Sequence, residues 1–264
     1  MDLQLGDKSV LVTGSTAGIG FAIASLFVEE GASVILNGRS ENRVKEAARR
    51  IREVHKNARL TEVAADLGTK EGIETLTQKV STIDILINNL GIYEAKAFTK
   101  ITDEDWFKIF EVNVLSGVRL SRFFLPKMLY KNWGRIVFIS SESGLNIPVE
   151  MVHYGVTKTA QIAVARGLAE MTAGTGVTVN SVLAGPTRSE GVEKFVSDMA
   201  TSRGTDEAQV ETEFFKSVRP SSLLRRFESP EEIAAMVVYV SSPCASGTNG
   251  AALRVEGGVV RSIG

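Results

Sequence analysis

Short apolar runs alternate with longer amphipathic segments along most of the chain. The apolar runs are rich in β-branched residues and lie at 9–12, 33–36, 59–64, 85–87, 135–139, 177–179 with Val182, and 252–255. Their length and composition are typical of strands. Because they are apolar on both faces, they indicate strands of a parallel sheet that is covered on both sides.

Segments with the helical spacing of apolar residues lie between these runs. They occupy about 18–30, 41–55, 69–80, 103–130, 154–173 and 230–240. Strict alternation of strand and helix implies right-handed βαβ crossovers. The pattern therefore predicts an α/β fold, a doubly wound parallel sheet of seven strands with helices on both faces, in a single domain over 1–264.

The segment 186–228 departs from this alternation, since it contains no apolar run and is dense in charged residues, Ser and Thr. Within it, 190–200 and 207–217 have the pattern of short helices. An insertion between the last two strands lies beside the carboxyl edge of the sheet, where ligands bind. We therefore expect a substrate lid at 186–228; the alternative is a solvated connector.

Composition narrows the function classes. The net charge of −1 gives no indication of a nucleic-acid or anionic-membrane partner. Cys244 is the only cysteine, and His55 and His153 are far apart, so no disulfide is possible within the chain and no metal motif is indicated. The N-terminus lacks a signal-peptide pattern, and no apolar run approaches about 18 residues, so we expect a cytoplasmic enzyme.

A glycine-rich turn directly follows the first predicted strand and leads into the first helix. Residues 13–20 read Thr-Gly-Ser-Thr-Ala-Gly-Ile-Gly. Glycines here let the backbone approach a pyrophosphate, whose charge then rests on the helix N-terminus. The position predicts a Rossmann-type dinucleotide site, with cofactor contacts from Gly14, Ser15, Thr16, Gly18, Ile19 and Gly20.

The end of the second strand bears on the choice of cofactor. Dinucleotide folds that select NAD carry an acid at this position, whereas here the sequence has Arg39. A guanidinium can clamp a 2′-phosphate, which favours NADP(H) over NAD(H). The alternative is that Arg39 is a solvated residue before a helix capped by Ser40. Arg43 and the basic residues that follow it are expected to form a solvated helix face.

The pattern Thr-Gly-x-x-x-Gly-Ile-Gly resembles the cofactor motif of the short-chain dehydrogenase/reductase family. Asp66 and Leu67 match the family's residues near the adenine ring. The run 88–91, Asn-Asn-Leu-Gly, is similar to the family's Asn-Asn-Ala-Gly, and this implies that Asn89 and Gly91 line the cofactor cleft. Leu90 replaces the usual alanine, a change that would narrow the cleft or shift the loop.

Tyr154 and Lys158 lie four residues apart at the start of a predicted helix, so their side chains share one face. A free tyrosine has a pKa of about 10, and a neighbouring cation lowers it by stabilising tyrosinate. Taken alone, this spacing is more typical of a surface pair. The other family motifs, in their expected order, favour a catalytic pair that also contacts the cofactor.

The resemblance implies two further catalytic residues. Ser141, at the end of the fifth strand, matches the family serine that holds the substrate oxygen, and we select it over Ser140. Asn113 matches the asparagine that supports a water-linked proton relay to the lysine. The segment 180–189 resembles the loop at the nicotinamide carboxamide, with cofactor contacts from Pro186, Thr187 and Ser189; Ala184-Gly185 stands where the family usually has Pro-Gly.

The resemblance spans residues 6 to about 260 and extends to the 3-oxoacyl-[acyl-carrier-protein] reductases. It implies an NAD(P)-dependent oxidoreductase that passes a hydride between a nicotinamide cofactor and a ketone, aldehyde or secondary alcohol, and a homotetramer. The main alternative is an inactive dinucleotide-sensing regulator with the same fold; a sugar-nucleotide epimerase fits less well. Acyl-carrier β-ketones, sugars, steroids and small diketones remain open as substrates.

Overall fold

Seven parallel strands form one sheet in the order β3-β2-β1-β4-β5-β6-β7 in the computed structural model. The structure describes residues 1–263, apart from the side chain of Phe195, so the last residue of the predicted 1–264 domain lies outside it. The strands are β1 (Ser9–Val12), β2 (Ser33–Gly38), β3 (Arg59–Ala64), β4 (Ile85–Asn88), β5 (Gly134–Ser141), β6 (Val177–Ala184) and β7 (Ala252–Val255). The predicted fold class is confirmed.

The helices connect the strands and cover both faces of the sheet. They are α1 (Gly18–Glu29), α2 (Glu41–Val54), α3 (Lys70–Lys79), α4 (Asp103–Phe110), α5 (Ser116–Tyr130), α6 (Val152–Glu170), α7 (Glu190–Arg203), α8 (Glu207–Ser217) and α9 (Pro230–Val240). Two of them begin in capping boxes, at Thr102 and Ser229, where side chain and backbone satisfy each other's hydrogen bonds.

Side chains of β1 alternate between two apolar layers. Val10 and Val12 pack with α1 and α9 on one face, and Leu11 packs with α5 and α6 on the other. All three are 0% exposed, and burial of such a side chain contributes about 2 kcal/mol. The edge strands differ from the prediction: β3 and β7 are only partly buried, because an edge strand has a neighbour on one side only.

The long helix predicted over 103–130 is wrong as a single α-helix. A π-helix at Glu111–Leu115 separates α4 from α5. Such wide turns are frequent at functional sites, and they shift a side chain out of the regular α-helical register. Asn113 lies in this π-helix and is buried.

The segment after β6 contains α7 and α8, at the positions where short helices were predicted. They enclose a small apolar cluster separate from the two main layers: Val196, Ala200, Val210, Phe215 and Phe227. A bridge between Thr187 and Glu228 holds the two ends of the segment together. None of the described helices combines the length and apolar character needed to cross a membrane.

Candidate active site

Two clefts lie at the carboxyl ends of the strands, where the order of the sheet reverses between β1 and β4. The Arg39 cleft, of about 210 Å³, contains four of the predicted site residues: Gly14, Thr16, Arg39 and Leu67. The Tyr154 cleft, of about 490 Å³, contains Ile19, Asn89, Gly91, Ser141, Tyr154, Lys158, Pro186, Thr187 and Ser189. The clefts meet at the loop 89–91, because Leu90 lines the first and its two neighbours line the second.

The glycine-rich turn has the geometry that a pyrophosphate site needs. Gly14 and Gly18 have φ angles of 62° and 53°, in the left-handed region that favours glycine. A Cβ on Gly20 would lie 2.4 Å from the Gly14 carbonyl oxygen and 2.5 Å from Asn89 Nδ2, so α1 packs against the turn only with glycine there. No side chain caps the N-terminus of α1, whose N–H groups can bind an anion.

Four of the predicted cofactor residues, Ser15, Gly18, Gly20 and Asp66, do not line either cleft. Ser15 is 0% exposed, and its Oγ accepts a hydrogen bond from Asn37 N at 2.9 Å, so this hydroxyl ties the turn to β2. Asp66 is exposed and accepts a hydrogen bond from Gly68 N. Gly18 provides a positive φ angle in the turn, and Gly20 allows α1 to pack closely against it. Cofactor contacts of these residues stay predictions.

A second arginine lies beside Arg39. Arg43, in the first turn of α2, is exposed, as expected for a solvated helix face, and it also lines the same cleft. Its nearest carboxylate is that of Glu190, at 3.8 Å between exposed side chains, which is a weak pairing. The signal was present in the spacing, because Arg39 and Arg43 flank the start of α2 and converge on one point.

Tyr154 stands at the N-terminal end of α6 and lines the cleft together with Ser141. Burial raises the pKa of Tyr154 to about 12; hydrogen bonding by Ser141 acts in the opposite direction, and the charge of Glu142 raises the pKa further. Ser141 Oγ also accepts a hydrogen bond from Ser143 N at 3.1 Å, which leaves its O–H for donation. Ser140 is instead bonded to Lys158 O, so the geometry favours Ser141 as the substrate contact.

Lys158 is buried between β5 and α6. Its Nζ donates hydrogen bonds to Ile139 O at 2.9 Å and to Gln161 Oε1 at 3.1 Å, and lies 5.6 Å from the centre of the Tyr154 ring. Burial lowers the pKa of Lys158 to about 8. The expectation of a lowered Tyr154 pKa is therefore corrected, because burial of the phenol outweighs the interactions with Ser141 and Arg219 that act to lower its pKa.

Asn113 forms hydrogen bonds that connect the π-helix to the loop after β4 and to α6. Its amide bonds Ile92 N at 2.7 Å and Ile92 O at 2.9 Å, which fixes the loop after β4, and Nδ2 also donates to Thr157 Oγ1. Its backbone carbonyl accepts a hydrogen bond from Gln161 Nε2 at 2.6 Å. Gln161, which the sequence reasoning missed, therefore links Asn113 O to Lys158 Nζ directly.

The two departures from the family pattern leave both clefts open. Leu90 lines the Arg39 cleft, and its N–H donates to Thr13 Oγ1 at 2.9 Å, which holds the loop against β1. Ala184, the second departure, lines the Tyr154 cleft, and at the following Gly185 a Cβ would lie 2.6 Å from the backbone Cα of Glu256, so glycine is required there. Thr187 Oγ1 bonds Gly185 O at 2.9 Å and steadies the turn that follows β6.

Four charged residues that the motifs did not indicate also line the Tyr154 cleft: Glu94, Glu142, Glu150 and Arg219. Arg219 Nε donates to Glu142 Oε1 at 2.8 Å, and its Nη1 donates to Glu150 Oε1 at 3.3 Å. The only available signal was that Glu142 directly follows Ser141. Arg219, in the segment after β6, could not be assigned to this cleft from the sequence.

Comparisons with known proteins agree with this geometry. A family model described as short chain dehydrogenase matches residues 8–200. The chain is 48% identical to the uncharacterized oxidoreductase YvaG of Bacillus subtilis over 100% of both chains. It is 35% identical to the 3-oxoacyl-[acyl-carrier-protein] reductase FabG of Aquifex aeolicus, covering 98% of this chain and 100% of that protein. The solved structure of L-sorbose reductase from Gluconobacter frateurii with NADPH and L-sorbose matches with a TM-score of 0.92 at 30% identity, over 100% of both chains.

Proposed function

The chain is an oxidoreductase of the short-chain dehydrogenase family, and from this premise we propose that it interconverts a ketone or aldehyde and the corresponding alcohol with NADP(H), using Tyr154 as the acid and base. One observation carries the proposal. Tyr154, Ser141 and buried Lys158 line one cleft, which meets the Arg39 cleft beside the glycine turn.

The residues present suit a nicotinamide dinucleotide. The left-handed glycines and the N-terminus of α1 would hold the pyrophosphate, and Arg39 with Arg43 would hold a 2′-phosphate. Lys158 and the turn at 186–189 line the other cleft, where the nicotinamide end would lie. When bound, the cofactor supplies the hydride. The NADPH in the sorbose reductase structure supports the preference for NADP(H).

Tyr154 and Ser141 would both act on the substrate oxygen, Tyr154 as the proton donor and Ser141 as a hydrogen-bond donor. With a pKa raised to about 12, Tyr154 is protonated at neutral pH and is therefore an acid suited to the reductive direction. Ser141 would donate its O–H to the same oxygen while negative charge develops there. In the oxidative direction the same groups act in reverse, with Tyr154 accepting the proton.

We also propose that the segment 186–228 forms one wall of the substrate site. Thr187, Val192, Phe214 and Arg219 all line the Tyr154 cleft, which favours a lid over a solvated connector. A homotetramer and a cytoplasmic location stay predictions from the family resemblance.

The proposal is tested by oxidation of NADPH in the presence of a panel of ketones and aldehydes. We expect turnover with at least one carbonyl class, accompanied by the matching alcohol as product. NADPH oxidation that does not depend on added carbonyl, or the absence of any alcohol product, would contradict the proposal.

The rate of carbonyl reduction should depend on pH through the ionisation of Lys158. A lysine is charged below its pKa, so Lys158 loses its charge as the pH rises through about 8, whereas Tyr154 keeps its proton to about 12. The cation stabilises the tyrosinate that forms when Tyr154 gives up its proton. We therefore expect kcat/KM for reduction to fall above about pH 8, measured as a pH profile with saturating NADPH.

Gln161→Leu is the variant that checks this assignment. It removes the side-chain acceptor of Lys158 Nζ while leaving the bond to Ile139 O, so the charged form of Lys158 is less well stabilised. The fall of kcat/KM with rising pH should then begin at a lower pH than in the unmodified protein. A flat profile between pH 7 and 10 in the unmodified protein, or a fall that begins at the same pH in Gln161→Leu, would contradict the assignment.

A further inference from the structure

Glu142 has a carboxylate oxygen that the fold leaves without a partner. The residue follows Ser141 directly, begins the short turn Glu142–Gly144 and lines the Tyr154 cleft. Its side chain is only 3% exposed. Oε1 accepts the hydrogen bond from Arg219, but buried Oε2 has no hydrogen-bond partner among the described residues. Buried polar atoms are nearly always bonded in native proteins, so a ligand group is the natural partner for Oε2.

Arg219 holds this carboxylate in place. It is 8% exposed, and besides Glu142 it bonds Glu150 Oε1 and the carbonyl of Val218. The Glu142 side chain is thus fixed at one oxygen and directed by a buried guanidinium, as a preorganised binding group requires. Its charge also acts on Tyr154, whose pKa it raises, so Glu142 is close to the reacting end of the cleft.

The charge around Oε2 is negative overall. Two carboxylates, of Glu142 and Glu150, share the single guanidinium of Arg219, and Glu94 adds a third carboxylate to the lining. The other cation of the cleft, Lys158, is directed toward Ile139 O and Gln161. A substrate carboxylate or phosphate at this place would meet like charge, whereas a hydrogen-bond donor would meet an acceptor.

We propose that Glu142 Oε2 accepts a hydrogen bond from a substrate hydroxyl group, and that the substrate is a neutral hydroxy-ketone or hydroxy-aldehyde of the sugar type, or the corresponding polyol. This assignment rests on the proposed carbonyl chemistry at Tyr154. Ser141 and Glu142 both line the Tyr154 cleft, so one small molecule can contact Ser141 at a carbonyl and Glu142 at a hydroxyl a few bonds away.

The test compares matched substrates that differ at one group. Hydroxyacetone and butanone have the same skeleton, with a hydroxyl in one where the other has a methyl group. A hydrogen bond to a charged acceptor favours the hydroxy-ketone by about 10- to 100-fold in kcat/KM with NADPH. In Glu142→Gln the amide oxygen can take the bond from Arg219 and place an uncharged NH₂ at Oε2, so the preference should fall to within about threefold.

Glu150→Gln is the matched control. It removes the other carboxylate that pairs with Arg219 but leaves Glu142 Oε2 in place, and the Glu150 side chain is 42% exposed. Any change in rate should therefore affect both ketones alike, and the preference for hydroxyacetone should persist. Loss of the preference in Glu150→Gln but not in Glu142→Gln would overturn the assignment.

A binding measurement separates failure of this subsite from failure of the carbonyl chemistry. Both ketones are titrated into the NADPH complex of Tyr154→Phe, and quenching of the cofactor fluorescence is followed. Tighter binding of hydroxyacetone supports the subsite even if the unmodified protein turns over neither ketone, a result that would contradict the proposed function alone. Equal binding of the two ketones would overturn the hydroxyl subsite.

Discussion

Tyr154→Phe is expected to lower kcat for carbonyl reduction by about a thousandfold, with the Kd for NADPH within about threefold of the unmodified value. The substitution removes only the hydroxyl that we propose as the proton donor to the substrate oxygen. The ring keeps its contacts, including the edge packing against Tyr93 at 6.2 Å and the proximity of Lys158. Steady-state rates and a fluorescence titration with NADPH measure the two quantities.

Tyr93→Phe is the control for this loss. Tyr93 lines the same cleft and packs against Tyr154, but its side chain is largely exposed and lies in the loop after β4. Removing its hydroxyl should change kcat only a few-fold. If Tyr154→Phe retained more than about a tenth of the original rate, Tyr154 would not be the proton donor.

Replacing both Arg39 and Arg43 with alanine is expected to weaken NADPH binding by about 100-fold while leaving NADH within about threefold. Both side chains line the cleft beside the glycine turn, and only NADPH carries the 2′-phosphate that two guanidinium groups would bind. Each single substitution should account for about tenfold of the loss. Parallel titrations with the two reduced cofactors give the ratio.

Arg50→Ala serves as the matched control on the same helix. Arg50 lies over the Phe21 ring at 4.2 Å and near Glu190, outside the residues that line the Arg39 cleft. It removes one positive charge from α2 without touching the proposed phosphate site, so the NADPH to NADH ratio should stay unchanged. An equal loss for both cofactors in the double variant would refute the 2′-phosphate clamp.

The strands and the glycine turn were predictable because their signals are local. A β-branched run such as Ser9–Val12 is recognisable within itself, and the turn at 13–20 needs glycine where φ is positive or a Cβ would collide. The pair Tyr154 and Lys158 was also a local signal, since residues four apart share a helix face. The parallel sheet then places the glycine turn and the Tyr154–Lys158 pair at the same edge.

The features that were missed depend on contacts between distant parts of the chain. Glu142 and Arg219 are 77 positions apart, and nothing in either segment indicates the other. Gln161 donates a hydrogen bond to the backbone carbonyl of Asn113, which lies in the π-helix. The apolar spacing of 103–130 does not reveal this distortion of the helix. The raised pKa of Tyr154 likewise follows from burial, which a motif does not specify.

The most direct test of carbonyl reduction is transfer of deuterium from the reduced cofactor. NADPH carrying deuterium at both nicotinamide C4 positions is incubated with the protein and a hydroxy-ketone, and the product is analysed by mass spectrometry and NMR. We expect one deuterium on the carbinol carbon of the alcohol, one deuterium left on the cofactor, and transfer about a thousandfold slower in Tyr154→Phe. NADPH binding without deuterium transfer to any of a broad panel of carbonyl compounds would contradict this function and would instead support a dinucleotide-sensing regulator.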